Sequence, residues 1–154
     1  MFSKSETAHL KKEFWTTLGR LLKPHPSADG KQINWINYKT DVRDIYFRME
    51  ASNKLATIAI DITHRDHEMQ LLFFEQFEQL KNYLHDIMGE EWTWDKKYFN
   101  EYGHQSARIY TTIENKNYFV KENWSDLFSF FKGNMIKLDE FWTDAKETFI
   151  ELSK

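Results

Sequence analysis

Asp44-Ile45-Tyr46-Phe47-Arg48-Met49-Glu50-Ala51-Ser52-Asn53-Lys54-Leu55-Ala56-Thr57-Ile58-Ala59-Ile60-Asp61-Ile62-Thr63 contains two runs in which apolar and other residues alternate. Ile45, Phe47 and Met49 fall on one side of the first run, and Ala56, Ile58, Ile60 and Ile62 on one side of the second, the period of extended chain. With Ser52 and Asn53 as the centre of a tight turn, Met49 pairs with Ala56, Phe47 with Ile58 and Ile45 with Ile60. A slip by one residue would turn one apolar set toward water, so the pattern specifies the faces. The reverse face then carries Asp44 opposite Asp61, Tyr46 opposite Ala59 and Arg48 opposite Thr57.

Working outward, Leu10, Phe14, Trp15, Leu18, Leu21 and Leu22 recur at helical spacing from about Glu6 to Leu22, with Ser5 or Ser3 as N-cap and Pro24 and Pro26 as the stop. Ile33 to Lys39 alternates and predicts a strand. From Asp66 to Met88 a stripe of Met69, Phe73, Leu80, Leu84 and Ile87 predicts one helix, the longest in the chain, capped by Asp66 and closed by Gly89. Trp92-Thr93-Trp94 and Ala107 to Ile113 predict a second hairpin joined across Asn100 to Gly103. Asn123 is placed to cap a helix from Trp124, which Gly133-Asn134 could break and which runs on through Phe141, Trp142 and Phe149. The architecture predicted is one α+β domain over residues 1–154, with a mostly antiparallel sheet of four to five strands and three or four amphipathic helices packed on one face.

Composition narrows the function classes. The 154 residues carry a net charge of -3 without blocks of one sign, which argues against strong nonspecific phosphate binding, and contain no cysteine, which excludes thiolate chemistry. No stretch reaches the roughly 20 apolar residues of a membrane span, and the first residues lack the apolar run of a leader, so the reading is cytoplasmic with no membrane partner. Aromatic residues make up 17%. That is more than one core of this size needs, so some rings belong at an interface or in a groove.

Several segments together resemble a known family: Lys23-Pro24-His25-Pro26-Ser27, Ile33-Asn34-Trp35-Ile36-Asn37-Tyr38-Lys39, Ile45-Tyr46-Phe47-Arg48-Met49, Leu72-Phe73-Phe74-Glu75-Gln76-Phe77, Gly89-Glu90-Glu91-Trp92-Thr93-Trp94 and Leu138-Asp139-Glu140-Phe141-Trp142. They are similar to a bacterial family labelled domain of unknown function 4268, in its short standalone form. Longer relatives join a similar module to a nuclease-like domain. The resemblance therefore implies association with nucleic-acid-processing or defence systems, and no catalytic mechanism.

Three constellations are candidate sites. The polar sheet face offers Asp44, Arg48, Asp61 and Arg108, with Glu50 and Thr63 nearby. Opposed carboxylates there require a cation between them, either a guanidinium or a metal. Restriction-type nuclease chemistry would want a lysine two residues after Asp61, where Thr63 stands, so the set is incomplete. His64, Asp66 and His67 sit where a strand gives way to a helix and could ligate a divalent ion, although the spacing is not that of a zinc-protease motif, and capping by Asp66 with the histidines in solvent is the plainer reading. Trp35, Tyr38, Tyr46, Tyr98 and Tyr110 are the candidate aromatic surface, with core filling as the competing reading. No glycine-rich phosphate loop or triad motif is present, so no cofactor is implied. The function expected is a non-catalytic binding or assembly module, self-associating or bound to another protein; the alternatives are a metal-dependent nuclease-like hydrolase and a single-stranded nucleic-acid binder.

Overall fold

The computed structural model describes residues 2–154. Helix α1 (Lys4–Leu22) starts at Ser3, whose hydroxyl accepts the Glu6 N–H, and buries Phe14, Leu18 and Leu22. Strands β1 (Ile45–Ala51), β2 (Leu55–Ile62), β3 (Thr93–Phe99) and β4 (Gln105–Glu114) form one antiparallel sheet in the order β1-β2-β4-β3. Between the two hairpins come α2 (His67–Gln79) and α3 (Lys81–Met88), and α4 (Trp124–Leu152) follows the sheet through a short 3-10 turn at Lys121–Asn123. Among the described residues no helix is long and apolar enough to cross a membrane.

The helices cover the apolar sheet face. Ile45, Phe47, Ile58, Ile60, Ile62 and Ile109 meet Phe73 and Phe77 of α2, Leu84 of α3, and Phe141, Trp142 and Phe149 of α4 in one continuous core. Rings knit it together, with Phe77 4.3 Å from Phe149 and Trp142 5.1 Å from Phe149 between centroids. Each such side chain, fully buried, contributes roughly 1.5–3 kcal/mol, which is why α4 lies along the sheet and not away from it.

The first hairpin keeps its faces but pairs two residues further along: Ile45 opposite Ile62, Phe47 opposite Ile60, Met49 opposite Ile58 and Ala51 opposite Ala56. Ser52 causes the shift. Its hydroxyl accepts the N–H groups of Lys54 and Leu55, and its own N–H donates to the Leu55 carbonyl, so Asn53 and Lys54 form the tip. A displacement of two leaves every side chain on its expected face. It changes the neighbours, however: Tyr46 stands opposite Asp61, Arg48 opposite Ala59, and Glu50 opposite Thr57. Asp44 lies before β1 with φ of 68°.

Four other expectations are corrected. Ile33 to Lys39 is a loop, because Asn34 turns the chain by accepting the N–H groups of Ile36 and Asn37. The segment after Asp66 is two helices interrupted at Leu80, whose N–H returns to the Phe77 carbonyl. No glycine or proline marks that break. The longest helix is instead α4, 29 residues, which passes Gly133-Asn134 unbroken while Asn134 Nδ2 donates to the Phe130 carbonyl. Asn123 stands at the N-cap position of α4, but its side chain makes no capping bond to the helix and accepts the Asn117 N–H instead. Asp66 does cap α2, and Gly89 closes α3 in the left-handed conformation.

Candidate functional site

The sheet face turned away from the helices is built around Asp61 and Arg108, cross-strand partners on β2 and β4 that are 4% and 6% exposed. Arg108 grips Asp61 with two parallel bonds, Nε to Oδ1 at 2.7 Å and Nη2 to Oδ2 at 2.9 Å. Its outer edge holds Glu50 in a second fork at 2.9 and 3.3 Å, and Nη1 reaches the Tyr98 hydroxyl at 3.5 Å. All five guanidinium donors are thus used. Burial disfavours the charge, but the hydrogen bonds to Asp61 and then Glu50 outweigh it and raise the Arg108 pKa above its ordinary value. Arg48 adds an ion pair to Asp61, Nε to Oδ2 at 2.7 Å, and its outer nitrogens make no hydrogen bond among the described residues. Tyrosines flank the charges: Arg48 lies 4.7 Å from the Tyr46 ring, and Arg108 lies 4.4 Å from that of Tyr98 and 6.0 Å from that of Tyr110.

The structure therefore joins Arg48, Asp61 and Arg108, as expected, and separates Asp44 from them. The Asp44 carboxylate pairs with its neighbour Arg43, at 3.9 Å, and with no other cation among the described residues. Its displacement follows from the two-residue shift, which hands the place opposite Asp61 to Tyr46.

Beside this network a cleft of about 1100 Å³ opens between the end of β2 and the β3–β4 hairpin. One wall is Thr63, His64, Arg65 and His67, the other Tyr98 to Ser106, and Tyr46, Arg48 and Glu50 close the β1 side. The hairpin wall is shaped by Asn100, whose side chain accepts the N–H groups of Tyr102 and His104, and by Gly103, whose φ of 79° suits a residue without Cβ. Three residues with exposed rings line this space: Tyr46 is 44%, Phe99 57% and Tyr102 76% exposed. Gln70, buried beneath, ties the walls by donating Nε2 to the carbonyls of His64 and Gln105. Arg65 makes no ion pair among the described residues.

His64, Asp66 and His67 are not gathered as ligands. His64 Nδ1 accepts the Asp66 N–H and Asp66 Oδ1 accepts the Glu68 N–H, both local turn contacts, and His67 is exposed. Among the described residues no group of three His, Cys, Asp or Glu side chains is arranged to hold a metal ion.

The aromatic candidates divide. Tyr46, Tyr98 and Tyr110 belong to the open face, whereas Trp35 is 3% exposed and donates Nε1 to the His25 carbonyl. Tyr38 lies against Phe47, and its hydroxyl donates to Asp139 at 2.6 Å. Asp139, itself 2% exposed, also receives the Ser27 hydroxyl at 2.8 Å and the Ala28 N–H at 2.7 Å. Burial first, and then the bond to Asp139, raise the Tyr38 pKa well above its usual value. Trp142 Nε1 holds the Thr40 carbonyl in the same region. Trp35 and Tyr38 are thus fastenings of the loop that leads into β1.

A family model matches residues 10–146 of the chain, and its description is domain of unknown function (DUF4268). The chain belongs to that family. No match was found among curated proteins or among solved structures. The segments that carry the DUF4268 resemblance meet in space: Tyr38 stacks on Phe47 at 5.0 Å, Phe47 touches Trp142 at 5.4 Å, and Trp142 faces Phe77 at 6.1 Å. Ser27 and Asp139 close the same cluster. In this DUF4268 chain the resemblance is therefore carried mostly by packing. The cleft draws only Tyr46 and Arg48 from those segments.

Phe99 and His104 escaped the reading of the sequence, whereas Tyr102 is among the rings it offers for a stacking platform and Arg65 lies within the candidate segment His64-Arg65-Asp66-His67. The signal available was a run of rings in a hairpin connection, Tyr98-Phe99-Asn100-Glu101-Tyr102, where water would ordinarily be met by small polar residues.

Proposed function

We propose that this chain is a non-catalytic binding module whose open-face cleft takes single-stranded nucleic acid. The observation that carries the reading is the gathering of the exposed rings Tyr46, Phe99 and Tyr102 around one cleft with Arg65 and the outer nitrogens of Arg48. Stacking a base on such a ring contributes about 1–3 kcal/mol with little regard to sequence, and guanidinium groups meet phosphate in the same forked geometry as carboxylate. Paired bases hide the faces that such rings need, so the reading favours unpaired strands. The family's resemblance to modules found beside nuclease-like domains points the same way, toward an accessory role in a nucleic-acid-processing system.

The hydrolase reading has less support. Asp61 is clamped by Arg108 and Arg48, and Glu50 by Arg108, so a metal ion would have to displace guanidinium groups from a buried carboxylate. Asp44, the second carboxylate that reading needs, stands off the face.

Fluorescence anisotropy of short labelled oligouridine and oligothymidine tests the proposal. Saturable binding that weakens as salt rises is expected, with Phe99→Ala and Tyr102→Ala each weakening it roughly 5- to 150-fold. No anisotropy change at low salt would overturn it. Cleavage of the same oligonucleotides in Mg²⁺ or Mn²⁺, abolished by Asp61→Asn, would restore the hydrolase.

A further inference from the structure

The two edges of the sheet are treated differently. At the β3 edge the register shifts between Asp95 and Tyr98, and the interruption holds the exposed Lys96 and Lys97. A bulge and paired lysines are a known means of keeping a strand edge from recruiting another chain. The β1 edge, Ile45-Tyr46-Phe47-Arg48-Met49-Glu50-Ala51, has no bulge, proline or lysine.

Hydrogen bonds at both ends of β1 establish which backbone groups face outward. Thr63 N–H donates to the Asp44 carbonyl, and Ser52 N–H donates to that of Leu55. Alternation along an antiparallel ladder then turns Tyr46, Arg48 and Glu50 toward β2 and Ile45, Phe47, Met49 and Ala51 away from it. The preceding loop satisfies the first of these: Ile45 N–H donates to the Val42 carbonyl, and the Ile45 carbonyl accepts the Thr40 hydroxyl at 2.7 Å. It goes no further. The N–H and carbonyl groups of Phe47, Met49 and Ala51 have no protein partner among the described residues.

We infer that the β1 edge pairs with the β1 edge of a second copy of this chain, antiparallel about a two-fold axis at Met49, joining the two sheets. Three symmetric registers bring outward groups together without disturbing the Ile45 loop contacts and still pair more than one residue. Centring on Arg48 sets Arg48 against Arg48 and leaves Ala51 unpaired. Centring on Glu50 sets Glu50 against Glu50 and leaves Phe47 unpaired. Centring on Met49 pairs Phe47 with Ala51 of the second copy, Met49 with Met49 and Ala51 with Phe47, so every outward group is used. The same register places Arg48 directly opposite Glu50 of the second copy, twice over. Opposite charges in directly opposed positions stabilise a strand pair and like charges destabilise it. Both residues have capacity to spare: the outer nitrogens of Arg48 make no hydrogen bond among the described residues, and each Glu50 oxygen accepts a single Arg108 donor. The interface is therefore self-complementary, as a two-fold contact must be.

The test is sedimentation equilibrium of the full chain from micromolar to millimolar concentration, together with residue-resolved amide exchange. Wild type is expected to rise from 18.7 kDa toward twice that mass. The Phe47, Met49 and Ala51 amides should slow as dimer accumulates, while those of Tyr46, Arg48 and Glu50 stay protected at every concentration. Met49→Pro removes an outward N–H that makes no bond within the chain, and should hold the mass at the monomer value. A wild-type monomer throughout overturns the inference, as does a dimer in which the Phe47, Met49 and Ala51 amides exchange as freely as in monomer. The exchange experiment uses the unaltered chain and decides the matter even where Met49→Pro fails to fold. A folded Met49→Pro protein that still dimerises also overturns it.

Discussion

Asp61 and Asp139 are both buried carboxylates, yet they are satisfied by opposite means. Asp61 is held by two guanidinium groups on the open sheet face, whereas Asp139 is held by a phenol, a hydroxyl and a backbone N–H beneath the loop that leads into β1. Neutral donors suit a fastening: they fix Ser27, Ala28 and Tyr38 onto α4 and leave no charge to spare. Paired guanidinium groups suit a surface, because Arg48 retains nitrogens that face outward beside exposed rings. Hydrogen bonding alone does not distinguish the two places. What distinguishes them is which donors remain uncommitted once the carboxylate is satisfied.

The largest effect is expected from breaking the charged pair. Arg108→Met leaves Asp61 buried with Arg48 alone and should cost about 3–5 kcal/mol in chemical denaturation. A second substitution, Asp61→Leu in the same chain, should recover much of that loss. Tyr38→Phe, which removes one neutral donor to a charged acceptor, should cost about 1.5–3 kcal/mol. It should also alter the alkaline limb of stability. The folded chain keeps the Tyr38 phenol protonated above the pH of about 10 at which the unfolded chain releases it, so its contribution is intact below that pH and is lost as pH rises further. Melting curves above pH 10 should therefore fall less steeply for Tyr38→Phe than for wild type; equal slopes would remove Tyr38 from the account. The smallest effect belongs to Glu50→Gln. Its side chain is half exposed, and the change should cost at most about 1 kcal/mol, diminishing as salt is added.

The same contrast explains what could be read beforehand. Period-two alternation gave the sheet faces, because burial of Ile58, Ile60 and Ile62 tolerates no shift by one residue. It could not exclude a shift by two, and only the hydroxyl of Ser52 decided between the two turns. Arg48, Asp61 and Arg108 were legible as a face for that reason, and Asp44 was misplaced for the same one. The alternation of Ile33 to Lys39 misled because Trp35 and Tyr38 are drawn inward by long-range partners, the His25 carbonyl and Asp139, which no local pattern encodes. The break at Leu80 has no glycine or proline to announce it, so the apolar stripe reads as one helix. On the far wall of the cleft Tyr98 was legible, but Phe99 and His104 were missed because a hairpin end has no periodicity to read.

Chemical-shift mapping during titration with an unlabelled short oligouridine tests the central claim most directly. The account predicts that backbone amides of Tyr46, Arg48, His64 to His67 and Phe99 to His104 move together and saturate together, while those of Ser27, Tyr38 and Asp139 stay still. Shifts centred on the Asp139 cluster, or none along the cleft at saturating oligonucleotide, would contradict it.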